Sequence, residues 1–344
     1  NSFEEITFMQ GPPNYRELDP TPFIFFFFSL FYGYMFADLG GGLILTIFGL
    51  TIYLRTVGNL KRWGILITCL GISSMLFGLI YGEFFGFKIP LLNYKPLIEI
   101  LEHESNTINF ENIIFIMQIS IIIGIIHLML GMFIRFYNGI KGKNYKDTVL
   151  GISYLMFYSG GVFLLYGLLQ MNLDIGKYSN SSYPILSIPA YIYSKIFSIF
   201  SLLGLILIFL SPLIIHKLEY KRIENYKELI GEGVIETFDV LTRFFANTIS
   251  YIRLAVLVLS HTVLLIMLKN ATNLYLGNQV LTTIIVFIIL ALGNLAIIVF
   301  EGFIAFIQAL RLHIYEWFTK FYYGEGKPFK SFNTTGVRVK IKFI

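Results

Sequence analysis

Residues 249–261 read ISYIRLAVLVLSH. Arg253 stands in a run whose other members, Ile249, Ile252, Leu254, Ala255, Val256, Leu257, Val258 and Leu259, belong in a membrane interior. A guanidinium stays protonated at any physiological pH. At a bilayer centre it costs about 2.5–3.5 kcal/mol on insertion scales and about 10–17 kcal/mol in simulations. A residue that costs so much needs a partner or a task.

The rest of the chain puts this run in a membrane. Of 344 residues, 56% are hydrophobic and 14% charged, with 35 Phe and 22 Tyr. Soluble domains carry about 25% charged residues. Apolar runs of about 20 residues recur, which is the helical rather than the barrel signature. The fold class is therefore an all-α integral membrane protein. The single cysteine, Cys69, lies in an apolar segment and reads as a small packing residue. It excludes an intrachain disulfide and a thiolate metal cluster. The net charge of +5 does not indicate nucleic acid, because the basic residues gather in loops.

Eight transmembrane helices are placed, at roughly 22–37, 40–54, 63–81, 111–136, 148–170, 189–216, 234–268 and 280–321. The first two are short and joined by ADLGGG, whose glycines permit a tight turn. The last two, about 35–42 residues long, would extend about 50–60 Å as continuous helix. They must tilt strongly, break, or project beyond a core about 30 Å thick.

Loop charge sets the orientation. Arg55, Lys61 and Arg62 lie in one loop, Lys141, Lys143 and Lys146 in another, just after Arg135. Lys217, Lys221, Arg222 and Lys227 lie in a third, and Lys320, Lys327, Lys330, Arg338, Lys340 and Lys342 near the C-terminus. The alternate loop at 82–110 holds Glu83, Glu99, Glu102 and Glu104 against Lys88 and Lys95, and the loop at 269–279 holds Lys269 alone. The positive-inside rule then puts both termini in the cytoplasm. The chain starts at Asn1, and residues 1–21 are polar and proline-rich. They read as a connector from a cytoplasmic N-terminal domain outside this sequence. Residues 22–322 read as the membrane domain and 323–344 as a cytoplasmic tail.

Charged residues concentrate in the last two spans. Residues seven apart in a helix differ by about 20° around the axis. Asp239, Ala246, Arg253 and Ser260 are so spaced, with Ser250 a turn from Arg253. In NLAIIVFEGFIAFIQALRLHIYEW the same spacing links Asn294, Glu301, Gln308 and Tyr315, with Arg311 three residues after Gln308. His313 points away from Arg311 by about 200°. One reading is a buried structural ion-pair set of Arg253, Arg311 and Glu301. The other is a hydrated ion path, which the extra Asn, Gln, Ser and Tyr favour. His261 and His313 suit either an ion path or plain hydrogen bonding. Glu83 reads as an interfacial or structural carboxylate, Asp38 as a turn cap, and His127 as a core hydrogen-bonder. No His/carboxylate set has metal-ligand spacing. Walker A, GxSxG and dinucleotide motifs are absent, so no cofactor is implied and the chain does not hydrolyse ATP itself.

NTISYIRL with His261, and EGFIAFIQALRLHIYEW, resemble the last two membrane helices of the large stator subunit of rotary V-type and A-type ATPases, called a in eukaryotes and I in prokaryotes. PTPFIFFFFSLFYGYMFADLGGG and SSMLFGLIYGEFFG resemble its earlier membrane signatures, so the resemblance covers about 20–340. It implies a subunit that is not itself catalytic, in a bacterial or archaeal cell membrane. Its partners would be a rotating proteolipid c/K ring, the peripheral stalk subunits E and G through the N-terminal domain, other ATPase subunits and membrane lipid. The family's essential arginine falls on Arg253, its second arginine on Arg311 and its path glutamate on Glu301. Gln308 matches the prokaryotic form, and His261 and His313 match family histidines. Arg243 departs from the eukaryotic pattern, which has a polar amide there. The transported ion, H⁺ or Na⁺, stays open. Two other classes also stay open. A secondary transporter would need broken helices or an internal repeat, and a scaffold that carries no ions would not need polar stripes beside Arg253.

Overall fold

A computed structural model describes residues 2–14, 17–88, 96–98, 101–102, 107–108, 110–170, 190–220, 226–273, 280–324 and 326. The described chain is almost entirely helical. Its helices are α1 (Glu4–Phe8), α2 (Thr21–Met35), α3 (Leu39–Arg55), α4 (Asn59–Tyr81), α5 (Phe110–Gly142), α6 (Tyr145–Gln170), α7 (Ala190–Tyr220), α8 (Tyr226–Ser250), α9 (Ile252–Asn273), α10 (Val280–Arg311) and α11 (Thr319–Phe321). A π-helical segment, Leu312–Phe318, links α10 to α11. Two short antiparallel hairpins, Glu83–Phe84 with Phe87–Lys88 and Leu101–Glu102 with Thr107–Ile108, follow α4.

Among the described residues, five helical stretches are long and apolar enough to cross a membrane: 59–81, 112–142, 196–219, 226–272 and 283–321. Helices α2 and α3 are apolar but shorter. The structure thus supports a multi-pass helical protein at five spans rather than the eight expected. The extra basic tail residues Lys327, Lys330, Arg338, Lys340 and Lys342 lie outside the described residues, as do Lys95, Glu99, Glu104, Lys221 and Arg222.

Glycine decides the closest helix contact. Gly42 and Gly49 of α3 meet Gly71 and Gly64 of α4, and Gly78, a further seven residues on, packs against the Leu39 backbone at the start of α3. A Cβ on Gly71 would lie 2.6 Å from the Thr46 amide nitrogen, and one on Gly49 2.6 Å from that of Thr68. Helices in lipid gain nothing from burying leucine against leucine, so small residues that let backbones touch supply the attraction. Gly71→Leu should lower the protein's melting temperature, by about 1–3 kcal/mol of overpacking strain. Thermal unfolding of the purified protein measures it; an unchanged midpoint would contradict the contact.

Asp38 caps α3 as expected, accepting from the Gly41 amide at 2.7 Å, and it also takes the Phe85 amide at 2.8 Å. It thereby ties the hairpin after α4 to the start of α3. The phenylalanine-rich α2 buries Phe28 and Phe31 against His313, while Phe25 and Phe26 face outward.

Several contacts gather the basic loops at one end. Arg62 pairs with Glu5 at 3.0 Å, and the Leu18 amide donates to Asn138 Oδ1 at 3.0 Å. Tyr322 donates to the Gly11 carbonyl at 2.6 Å, and Tyr323 to Asp147 at 2.7 Å. The start of the described chain, the α3–α4 and α5–α6 loops and the segment after α11 therefore share one end. Glu83 lies beyond the opposite end of α4.

The stretch expected as one long seventh span is interrupted. Helix α8 stops at Ser250 and α9 starts at Ile252. Across the break the Tyr251 amide donates to the Thr248 carbonyl at 3.4 Å and the Leu254 amide to the Tyr251 carbonyl at 3.0 Å. The break falls two residues before Arg253.

Candidate functional site

Tyr251 is fully buried, and its hydroxyl meets His127 Nδ1 on α5 at 2.8 Å. Gly124, one turn earlier on α5, has no side chain where Tyr251 packs; a Cβ there would come within 2.2 Å of the tyrosine ring. The His127 ring stacks on Trp317 of the π-helical segment, with centroids 4.8 Å apart. One histidine thus touches both irregular segments, the α8–α9 break and the π-helical turn. His127 is the core hydrogen-bonder its sequence suggested.

Arg253 lies where these segments meet. Its Nη2 donates to Ser250 Oγ at 2.9 Å, and Ser250 Oγ donates to Glu316 Oε1 at 2.6 Å. Arg253 Nη2 and Glu316 Oε1 are 4.0 Å apart, with side-chain exposures of 22% and 8%. Arg253 Nη1 and Glu316 Oε2 are buried and lack a hydrogen-bond partner among the described residues. The guanidinium is hydrogen-bonded through Nη2 and unsatisfied at Nη1.

A second polar cluster lies further along α9. His261 Nδ1 hydrogen-bonds Glu301 of α10. Thr262 donates to Glu83 at 3.0 Å. Glu83 is 3% exposed, with His261, Asp38 and Glu301 close enough to act on its charge. Burial, the dominant effect, pushes the Glu83 carboxyl up from 4.5 to about 7, while His261 and Thr262 pull it down. A carboxyl raised on folding contributes stability in full below its unfolded value, and this is lost as pH rises through the folded one. The wild-type protein should therefore lose stability between about pH 5 and 7 that Glu83→Gln does not lose. Melting temperatures of both proteins at the two ends of that range test it; parallel curves would contradict it.

A third group lies at the end where the basic loops gather. Tyr154 donates to Glu236, Tyr158 meets Thr248 at 3.1 Å, and Arg135 pairs with Asp147 at 3.2 Å. A cavity of about 280 Å³ is lined there by Arg135, Tyr154, Glu236, Asp239, Arg243 and Lys320, among others. Arg243 and Lys320 also line a smaller cavity that reaches Asn247, one turn before Ser250. Polar groups thus approach Arg253 from both ends of the bundle.

The structure brings some expected site residues together and separates others. Arg253 and the His261–Glu301 pair are half-buried or buried on the facing sides of α9 and α10. Gln308 and Asn294 sit on α10 with Glu301, and the side-chain oxygen of each is buried without a partner among the described residues. Ser260 turns back to the Leu257 carbonyl at 2.9 Å. Asp239 pairs with Arg243 at 2.8 Å, not with Arg253. The common stripe of Asp239 and Arg253 assumed an unbroken helix, and the break at Tyr251 ends it. Arg311 is exposed, yet near enough to Arg253 for the two charges to repel. Tyr315 is 68% exposed and off the seam. His313 is buried against Phe28, Phe31 and His127, and its Nδ1–H donates to the Ala309 carbonyl at 2.9 Å.

Sequence reasoning passed over Glu316 because of the π-helical turn. A π turn holds about one residue more than an α turn. The seam through Asn294, Glu301 and Gln308 therefore continues at the eighth residue, Glu316, instead of the seventh, Tyr315. Glu83 reads from sequence as an interfacial or structural carboxylate; its burial against Thr262 and His261 rests on contacts nearly 180 residues away in sequence. A carboxylate beside Trp317, in a run already holding Arg311 and His313, was the available signal for Glu316.

Fold and site together define a multi-pass helical membrane protein with an arginine held at a polar seam between its last long helices. Residues 215–334 match the V-type ATPase 116kDa subunit family. The chain is 33% identical to the A-type ATP synthase subunit I of Methanocaldococcus jannaschii, over 96% of this chain and 47% of that protein. It is 29% identical to the A-type ATP synthase subunit I of Aeropyrum pernix, over 98% of this chain and 51% of that protein. The protein of the same name from Archaeoglobus fulgidus is 28% identical over 96% of this chain and 51% of its own length. The chain is similar to this family through residues 215–334, and to these subunit I proteins along nearly its whole length. It spans about half the length of these relatives.

Proposed function

We propose that this chain is the membrane part of the ion-translocating stator subunit of a rotary A-type ATP synthase or ATPase, working against a ring of small proteolipid subunits. The observation that carries the reading is the placement of Arg253. It is held by Ser250 and Glu316, with the Glu236–Asp239–Arg243 cavity toward one end and the His261–Glu301–Glu83 cluster toward the other. In this reading all eight spans cross the membrane, the last two tilted. Residues 1–21 connect to a cytoplasmic domain, 22–322 form the membrane domain and 323–344 a cytoplasmic tail. The end that gathers the basic loops faces the cytoplasm. Peripheral stalk subunits E and G bind through the N-terminal domain.

The mechanism follows from charge. An ion enters through one polar cluster and neutralises a ring carboxylate, which can then face lipid without a charge penalty. A full turn of the ring returns that carboxylate to Arg253. The fixed cation favours its ionised form, so the ion leaves through the other cluster. Arg253 also repels any cation passing directly between the clusters. A guanidinium does this better than an ammonium, which can lose its proton when desolvated. Each charge moved is worth about 2.3 kcal/mol per 100 mV, and a leak at Arg253 would dissipate it. In this path Glu301, His261 and Glu83 line one half-channel with Asn294 and Gln308, while Asp239 and Glu236 line the other. Arg311, outside the seam, adds positive charge near the ring-facing surface, and Ser260 and Tyr315 flank it.

The broken helix at Tyr251 is the one feature that a secondary transporter would also require. The break is a single residue with no unwound stretch, and the relatives' shared name favours the rotary reading. Purification of the complete protein from its native membrane tests it. The reading expects a ring of small carboxylate-bearing subunits to co-purify, and a solitary protein that transports a solute without ATP would overturn it.

A further inference from the structure

Arg253 faces a difficulty that the ring cycle alone does not resolve. Between the departure of one ring carboxylate and the arrival of the next, its charge would stand unpaired in a largely buried site. An unpaired buried charge is strongly unfavourable. A site that paired Arg253 only with the ring would hold each carboxylate tightly and release it slowly.

Glu316 lies where a resident counter-charge is needed. It is 7% exposed, is joined to Arg253 through Ser250 Oγ, and has its second carboxylate oxygen unpartnered. Arg253 in turn keeps Nη1 without a partner. The guanidinium therefore has one nitrogen engaged toward Glu316 and a second, buried one that no described residue satisfies. The π-helical turn swings Glu316 onto the seam, and Trp317, next in the chain, is stacked on His127, which also holds the break before Arg253. Both partners are thus fixed by the same α5 histidine.

We propose that Glu316 is the resident counter-ion of Arg253, a positioning residue that competes with the ring carboxylate and so sets how fast each one is released. This rests on the rotary reading above. With Glu316 neutralised, Arg253 grips the arriving carboxylate harder and turnover slows, while the barrier to leak remains because Arg253 is still present.

Glutamine and aspartate at this position separate charge from hydrogen bonding. Glutamine keeps the length and still accepts from Ser250, but carries no charge. Aspartate keeps the charge and shortens the reach. In the complete complex in vesicles, Glu316→Gln should lower ATP-driven ion transport about tenfold, with ions moved per ATP unchanged. Glu316→Asp should recover most of that loss. A carboxylate returned from the other helix, Ser250→Asp in the Glu316→Gln background, should also recover transport. Where Glu316→Gln alone fails to assemble, restored assembly in the double variant supports the proposal and no restoration overturns it. Wild-type turnover in Glu316→Gln, or Glu316→Asp slower than Glu316→Gln, would overturn it too. Arg253→Ala run alongside keeps the two claims apart: uptake by that variant would sink the rotary reading itself, whereas its silence beside an unaffected Glu316→Gln would sink only the counter-ion.

Discussion

Arg253→Ala is expected to abolish ATP-driven ion uptake while leaving the complex assembled. The side chain contributes one hydrogen bond, to Ser250, and Glu316 keeps its own bond from Ser250 when the arginine goes. The transport cycle loses the cation held on the seam between the two polar clusters. A returning ring carboxylate then has nothing to favour its ionised form, and ions can cross between the half-channels. Uptake should drop at least a hundredfold, about 3 kcal/mol or more in barrier terms, with the amount of purified complex within about twofold of wild type. Uptake in vesicles and subunit yield, measured on the same preparation, check both halves. Normal uptake would remove the basis of the mechanism.

Glu301→Gln is expected to slow transport about ten- to a hundredfold without stopping it. Glu301 hydrogen-bonds the buried His261, and Glu83 lies beside the same histidine. Glutamine retains a hydrogen bond to the imidazole but removes the charge that attracts a cation into this end of the seam. Glu83 and the nearby Asp38 leave the cluster some negative charge, which is why the loss should be partial. The rate of ATP-driven uptake is the measurement. An unchanged rate would make Glu301 a structural partner of His261 and no part of the path.

Much of this was legible in the sequence, for identifiable reasons. Apolar runs located most helices because a membrane forces long unbroken hydrophobic segments. A costly arginine in ISYIRLAVLVLSH marked the site, because a charge in that setting needs a compensating interaction. Seven-residue spacing puts Asn294, Glu301 and Gln308 on one face of α10, which is regular through Arg311. The same spacing presumes regular helix, and the helix is irregular on either side of Arg253 and Gln308. It joined Asp239 to Arg253 across the Tyr251 break, and it selected Tyr315 where the π-helical turn puts Glu316. Neither irregularity follows from local composition. Both pack on α5, the break against Gly124 and His127 and the π-helical turn against His127, residues more than 120 positions before the break. The burial of Glu83 is of the same kind, set by Thr262 and His261. Length alone could not decide whether the seventh span tilts, projects or breaks. Tyr251 supplies the break, with its hydroxyl satisfied by His127.

The claim that the Arg253 face abuts a rotating ring is tested most directly by a cross-link. Cys69 is the one cysteine of these 344 residues and lies among packed apolar residues, so its replacement by Ala leaves this membrane part without a thiol of its own. Val256 is exposed one turn from Arg253, and Leu203 is exposed on α7. With cysteines placed in the carboxylate-bearing helix of the ring subunit, Val256→Cys should form a disulfide with the ring that reductant reverses and that halts ATP-driven turnover. Leu203→Cys should form none. A ring cross-link from Leu203→Cys with none from Val256→Cys would contradict the account.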